Sequence, residues 1–193
     1  MRAPSDRRAI ALRLATALLV AFGAVRCATP PPPDAPASPP FALDDAARAA
    51  GFEVLFDGDD LDAWRGFRTS EVPAGWQIAS GALYFDGRRG APDLVTRQRY
   101  ASFELVLEWD AEPGANSGIL YRVTEAHRNT WETGPEFQIL DDEPNAPQRT
   151  GANYALHAAA PHPPKSDPDG WNVARIVVRG SRGNNWRNGA LCV

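Results

Sequence analysis

The 193-residue sequence holds a single lysine, Lys165, one methionine, three histidines and two cysteines, Cys27 and Cys192. Two cysteines so far apart give no basis for a disulfide framework, and none is expected. There is no Cys-x-x-Cys pair, so a structural zinc site has no support either. Gly-x-Gly-x-x-Gly, phosphate-binding-loop and Gly-x-Ser-x-Gly patterns are also missing, which leaves a nucleotide cofactor and a serine-hydrolase elbow without support. No apolar run approaches the ~20 residues that a membrane-crossing helix needs. Positive charge is scarce where nucleic acid would require it. The first 40 residues hold five of the 20 basic and two of the 24 acidic side chains, so the remaining 153 carry 15 cations against 22 carboxylates. A net charge of −7 on that part argues against a nucleic-acid or anionic-membrane surface. Nearly all cations are Arg, which reads as coding bias and not as phosphate recognition.

The N-terminal stretch differs in character from the rest. Arg2, Arg7, Arg8 and Arg13 precede the apolar run Leu14 to Val25, which stops at Arg26 and Cys27. This is the pattern of an export signal. Cys27, before Ala28-Thr29 and a proline tract, resembles the lipidation site of a bacterial lipoprotein, although Arg26 stands where that pattern wants a small residue. The alternative is plain cleavage after a small residue such as Gly23. Arg7-Arg8 raises the twin-arginine route, but its flanking residues match poorly. Each route ends outside the cytoplasm, in the periplasm or at the outer membrane, and the membrane is touched only through a lipid on Cys27. Thr29 to Pro40 has seven prolines in twelve residues, whose fixed φ angles and missing donors make an extended spacer. The expected division is a signal peptide over 1–27, a linker over 28–42 and a β-domain over 43–193.

One short helix is expected, Leu43 to Ala50, with Asp44 or Asp45 at its N-terminus and Gly51 ending it. Beyond Gly51 apolar residues recur at period 2 between turn signals, so the domain is expected to be all-β. Phe103, Leu105, Leu107 and Trp109 form the clearest buried face. Trp76-Gln77-Ile78 and Leu83-Tyr84-Phe85 flank a Ser80-Gly81 turn; Ile119 to Val123, Glu136 to Leu140 and Val173 to Arg179 are further strands. Spacing of this kind suits a two-sheet sandwich or jelly roll. The Pro-rich segment 145–169 has no clear period and should be a long surface loop. Trp186 to Leu191 reads as a strand entering an Asn188-Gly189 hairpin turn, whose return strand has only the four residues Ala190 to Val193. The sandwich is therefore expected to lack its last strands. Asp57-Gly58-Asp59-Asp60-Leu61-Asp62 lacks the glycine and glutamate offsets of a calcium loop and reads as a turn.

Several runs together resemble one bacterial family. They are Gly51-Phe52-Glu53-Val54-Leu55-Phe56-Asp57-Gly58 through Trp64, Trp76-Gln77-Ile78 through Leu83, Leu94-Val95-Thr96 through Leu105, and Glu108-Trp109. They continue through Gly114-Ala115-Asn116-Ser117-Gly118-Ile119 with Tyr121-Arg122, Thr133-Gly134-Pro135-Glu136-Phe137-Gln138-Ile139-Leu140-Asp141, Gly151-Ala152-Asn153-Tyr154, and Trp171-Asn172 with Arg175-Ile176-Val177-Val178. Their order and spacing resemble the 3-keto-disaccharide hydrolase, or 3-keto-glucoside lyase-hydratase, domain family. The resemblance implies a concanavalin A-like β-sandwich, in agreement with the strand pattern, and a carbohydrate substrate already oxidised at C3. Two departures stand out. Ala155 follows the Gly-Ala-x-Tyr run where many relatives carry an acid, and the closing His-containing strand of the family has no counterpart.

Cleavage of such a sugar by elimination needs a base, an oxyanion stabiliser and an acid for the departing oxygen. Glu136 and Gln138 share parity on their strand and can project from one face, ~6.7 Å apart, as a sugar floor. Glu136 is the candidate base or metal ligand, with Asp141, Tyr154 and His157 as candidate acid, base or ligands. For each the plain alternative is a structural hydrogen bond. Asn116 and Arg122 are candidates to bond sugar oxygens or the enolate, the alternative being a turn around Gly118. Trp131 is a candidate to stack on a pyranose, though a core Trp reads equally well. No cofactor is specified; a divalent cation on Glu136, Asp141 or His157 stays open as the enolate stabiliser. A non-catalytic glycan-binding module is the alternative function, and a direct two-carboxylate glycosidase a third.

Overall fold

Alternation of apolar and polar residues produces two facing layers of strands. The computed structural model describes residues 8–15 (backbone only), 43–85, 87, 91–111, 114–140, 149–160 and 171–193. Cys27, the proline tract, Asp141 and most of the expected loop 145–169 lie outside these residues. The elements are β1 (Arg8–Ala15), α1 (Asp45–Ala49), β2 (Phe52–Val54), β3 (Trp64–Gly66), β4 (Trp76–Ala79), β5 (Ala82–Phe85) and β6 (Leu94–Thr96). They continue with β7 (Phe103–Asp110), β8 (Asn116–Leu120), a 3-10 turn (Thr130–Glu132), β9 (Glu136–Leu140), β10 (Asn172–Arg179), β11 (Arg182–Arg187) and β12 (Ala190–Leu191).

The larger sheet runs β12-β11-β10-β7-β1-β5-β4, with β2 also paired to β1. β3 pairs with β6, and β8 with β9, as two antiparallel ribbons. Phe137, Ile139 and Tyr121 from the β8–β9 side meet Leu107, Trp109, Ala174, Ile176 and Val178 of the large sheet in one apolar core. This is the β-sandwich that the periodicity predicts. Phe137 and Ile176 are fully buried, and truncating such a Phe to Ala costs about 3–5 kcal/mol.

Local chemistry explains the boundaries. Asp44 caps α1, its carboxylate accepting from the Ala47 amide at 2.6 Å, and Gly51 ends the helix at φ 86°. Asn188 and Gly189, at φ 48° and 80°, provide the left-handed pair that a two-residue hairpin between β11 and β12 requires. Between Asp57 and Asp62 the carboxylates of Asp57 and Asp60 accept from amides two residues on, as in Asx turns.

One expected strand needs correction. β8 covers Asn116–Leu120 and not Ile119 to Val123, because Arg122 takes φ 59° and turns the chain out of the sheet. Among the tryptophans, Trp64 and Trp109 are buried, Trp76 packs on the core, and Arg175 lies 4.5 Å over the Trp186 ring. Arg8–Ala15, which the sequence places in the leader, pairs in parallel with the whole of β7 from Phe103 to Asp110. Its alternating Ala9-Ile10-Ala11-Leu12 composition suits a strand as well as a leader, and β7 offers it a full edge.

Candidate active site

β9 is the middle strand of a small three-part surface. β8 lies on one side, with Leu120 opposite Glu136, Gly118 opposite Gln138 and Asn116 opposite Leu140. On the other side segment 149–157 runs alongside. The Tyr154 amide donates to the Glu136 carbonyl at 3.0 Å, the Gln138 amide to the Ala152 carbonyl at 3.0 Å, and the Gly151 amide to the Gln138 carbonyl at 2.9 Å. Strand parity sends Phe137 and Ile139 into the core and puts Glu136 and Gln138 on the opposite face, as the sequence pattern predicts.

Gln138 is buried, and its Nε2 donates to Asn116 Oδ1 at 3.1 Å. That bond fixes the Asn116 amide and leaves its Nδ2 donor to an incoming acceptor on the exposed rim. Glu136 is half-buried, and its carboxyl is raised from the ordinary 4.5 to about 7, first by desolvation and then by the negative charge of Asp93. Asp93 is held in turn by the Thr130 hydroxyl, which donates to its Oδ2. The carboxylate of Asp93 reaches this face because β6 follows it and the Phe67 amide anchors its carbonyl at 2.7 Å. Nothing in the local pattern around Pro92-Asp93 marked it.

The remaining candidates separate. Tyr154 is anchored by its own amide beside Glu136 and is 41% exposed. His157 is exposed, with Nδ1 3.5 Å from Asn153 Nδ2. Trp131, in the 3-10 turn directly after Thr130, is 67% exposed, so it is not the core Trp that was its plain alternative. Arg122 departs from the sugar-binding expectation. Its Nη2 donates to the Gly180 carbonyl in the β10–β11 turn, because the positive-φ backbone aims it at the large sheet. His127 is exposed, as its polar loop suggests. Asp141 lies outside the described residues. Among the described residues no three His, Cys, Asp or Glu side chains gather closely enough to hold a metal ion, and the candidate ligand Asp141 lies outside them.

Asn153 has a structural part in the site that no local motif marks. Its Oδ1 accepts from the Tyr121 hydroxyl at 2.8 Å and from Asn185 Nδ2 at 3.0 Å, inside the sandwich. Burial raises the Tyr121 phenol above its ordinary value, while the bond to Asn153 and the charge of Arg122 oppose the rise. Asn153 also bridges by backbone to Phe137 and to His157. It therefore ties the outer loop bearing Tyr154 and His157 to the core under β9.

Residues 51–193 match the family model described as the 3-keto-alpha-glucoside-1,2-lyase-like domain. The chain belongs to this family. It is 29% identical over 154 residues to a 3-keto-disaccharide hydrolase of Bacteroides thetaiotaomicron, an alignment covering 67% of this chain and 53% of that protein. The chain thus spans about half the length of that relative. A crystal structure from Parabacteroides distasonis, provisionally described as a glycosyl hydrolase, superposes with a TM-score of 0.70 at 28% identity, covering 79% of this chain and 75% of its own. Another of the same description and organism gives 0.52 at 21% identity over 72% and 63%, and supports the fold alone. In the 3-keto-glucoside lyase-like frame the Thr133-Gly134-Pro135-Glu136-Phe137-Gln138 run is the stretch that delivers Glu136 and Gln138 to the outer face of β9.

Proposed function

We propose that this domain cleaves glycosides whose sugar ring carries a ketone at C3, with Glu136 removing the proton at C2. The C3 carbonyl makes that proton acidic. Its bonding pair moves into an enolate whose charge rests on the C3 oxygen; as the enolate collapses, the C1–O bond breaks and the departing alcohol takes a proton. Water then adds across the C1–C2 double bond, hydroxyl to C1 and hydrogen to C2, giving net hydrolysis. The observation that carries this reading is the half-buried carboxyl of Glu136 poised at about 7, next to a buried Gln138 that orients Asn116. A base near the working pH combines sufficient ionisation with sufficient basicity, and general base catalysis is typically worth 10²–10⁴-fold. Asn116 Nδ2 would stabilise the enolate oxygen, Tyr154 or His157 would protonate the leaving group, and Trp131 would stack on the sugar ring.

A glycan-binding module without turnover is the second reading, favoured by the exposed Trp131 and by Ala155, exposed beside Tyr154 with φ 57°. Incubation with a 3-keto-glucoside and its unoxidised parent separates the readings. Release from the keto sugar alone supports elimination, release from both supports an ordinary glycosidase, and retention without release supports a lectin.

Export remains part of the proposal, resting on the Arg-flanked apolar run before Cys27. Cleavage there would remove Arg8–Ala15 and free the edge of β7 that it covers. The N-terminal residue and mass of the protein recovered from cells decide between a cleaved leader, a lipidated Cys27 and a retained strand.

A further inference from the structure

Gly118 lies on β8 opposite Gln138, diagonal to Glu136 on the outer face. A Cβ built on Gly118 would fall 2.6 Å from both Cγ and Cδ of Glu136, and closer still to Oε1. Carbon atoms do not approach to 2.6 Å without bonding, so the Glu136 side chain occupies the volume that any other residue at 118 would fill. It lies flat across the neighbouring strand. A free glutamate on an exposed sheet face would extend into water, where its charge is best solvated. Here the trough at Gly118 lets it fold down against the sheet, beside the Gln138–Asn116 pair and within the field of Asp93.

We infer that Gly118 is a positioning residue: the absent side chain holds the Glu136 carboxyl in its working place against the sheet. The inference rests on the reading of Glu136 as the base. Gly118 is not among the glycines with positive φ, so its backbone is open to L-residues, and glycine inside a strand is otherwise a conformational cost. The clash in Gly118→Ala falls on Glu136 first, a movable side chain, and the strand itself should form.

The test uses the full chain in four forms: wild type, Gly118→Ala, Glu136→Asp and the double variant Gly118→Ala/Glu136→Asp. Gly118→Ala should lower kcat on a 3-keto-glucoside by ~10–100-fold with KM within twofold, as expected for a base displaced by about an ångström. Aspartate is one methylene shorter and clears the new Cβ. The double variant should therefore be at least as active as Gly118→Ala, although Glu136→Asp alone is impaired. Wild-type kcat in Gly118→Ala overturns the inference, and so does simple multiplication of the two single losses. Carbodiimide labelling of Glu136 with glycine ethyl ester, followed by peptide mass spectrometry, reads the geometry without activity. Labelling should be several-fold faster in Gly118→Ala, and an unchanged rate also overturns the inference. Faster labelling in a chain whose wild type cleaves no keto sugar would leave the positioning intact and remove the proposed function instead.

Discussion

Replacing Glu136 by Gln should stabilise the protein by an amount that grows as pH rises from 4.5 to about 7 and is full above that. A carboxyl raised from 4.5 to about 7 holds its proton more tightly in the folded than in the unfolded chain. The stability this contributes is fully present below 4.5 and is lost as pH rises through about 7. For a fully buried group a rise from 4.5 to about 7 would correspond to about 3 kcal/mol. Glu136 is only half-buried, so solvent screening reduces the cost of ionising it to about 1–2 kcal/mol. Gln keeps the shape of the protonated acid and cannot ionise. For a chain of this size ~1 kcal/mol moves Tm by about 2–4 °C, so Glu136→Gln should melt about 2–8 °C above wild type at pH 8.5 and alongside it at pH 4.5. Thermal melts of both proteins followed by circular dichroism across this range provide the measurement. Equal Tm values at both ends, or a less stable variant at pH 8.5, would refute the desolvated carboxyl and with it the physical basis for a base at this position.

On a 3-keto-glucoside the same variant should lose turnover by ~10²–10⁴-fold while remaining folded, and residual activity near wild type would take Glu136 out of the base role. The acid limb of kcat/KM should fall near neutrality, and Asp93→Asn should move it to lower pH, because the second cause raising Glu136 is the charge of Asp93. A pH-rate profile of Asp93→Asn that overlays wild type would contradict this. Asn153→Ala leaves the Tyr121 hydroxyl and the Asn185 amide without their shared acceptor, and urea unfolding should show a loss of about 2–5 kcal/mol. Trp131→Ala should raise KM by roughly 2–10-fold without changing kcat, and an unaffected KM would separate this ring from the sugar.

The parts of the fold that could be read ahead are those fixed by short-range chemistry. The alternation in Phe103-Glu104-Leu105-Val106-Leu107-Glu108-Trp109 gives β7 and its core face, and Asn188-Gly189 gives the last hairpin turn. Where the reading failed, the deciding term was not local. Ile119 to Val123 keeps an apolar rhythm, yet the chain leaves the sheet at Arg122, whose guanidinium finds the Gly180 carbonyl far along the sequence. Arg8–Ala15 satisfies the composition of a leader and the period of a strand at once. The pairing along β7 uses the period, and that edge is a property of the folded domain.

The site divides along the same line. Parity on one strand is a two-residue rule, so Glu136 and Gln138 could be placed on a common face from their spacing alone. What makes Glu136 chemically unusual comes from three other segments: the trough at Gly118 on β8, the charge of Asp93 before β6, and the loop that hydrogen-bonds its carbonyl through Tyr154. None of these has a period or a motif, because each acts by what it brings close or leaves empty. A glycine in a strand reads as a weak point until the side chain filling its space is known. The electrostatic character of a carboxyl is therefore a property of the assembled surface, and a sequence that names the base still leaves its proton affinity to the neighbours that folding selects.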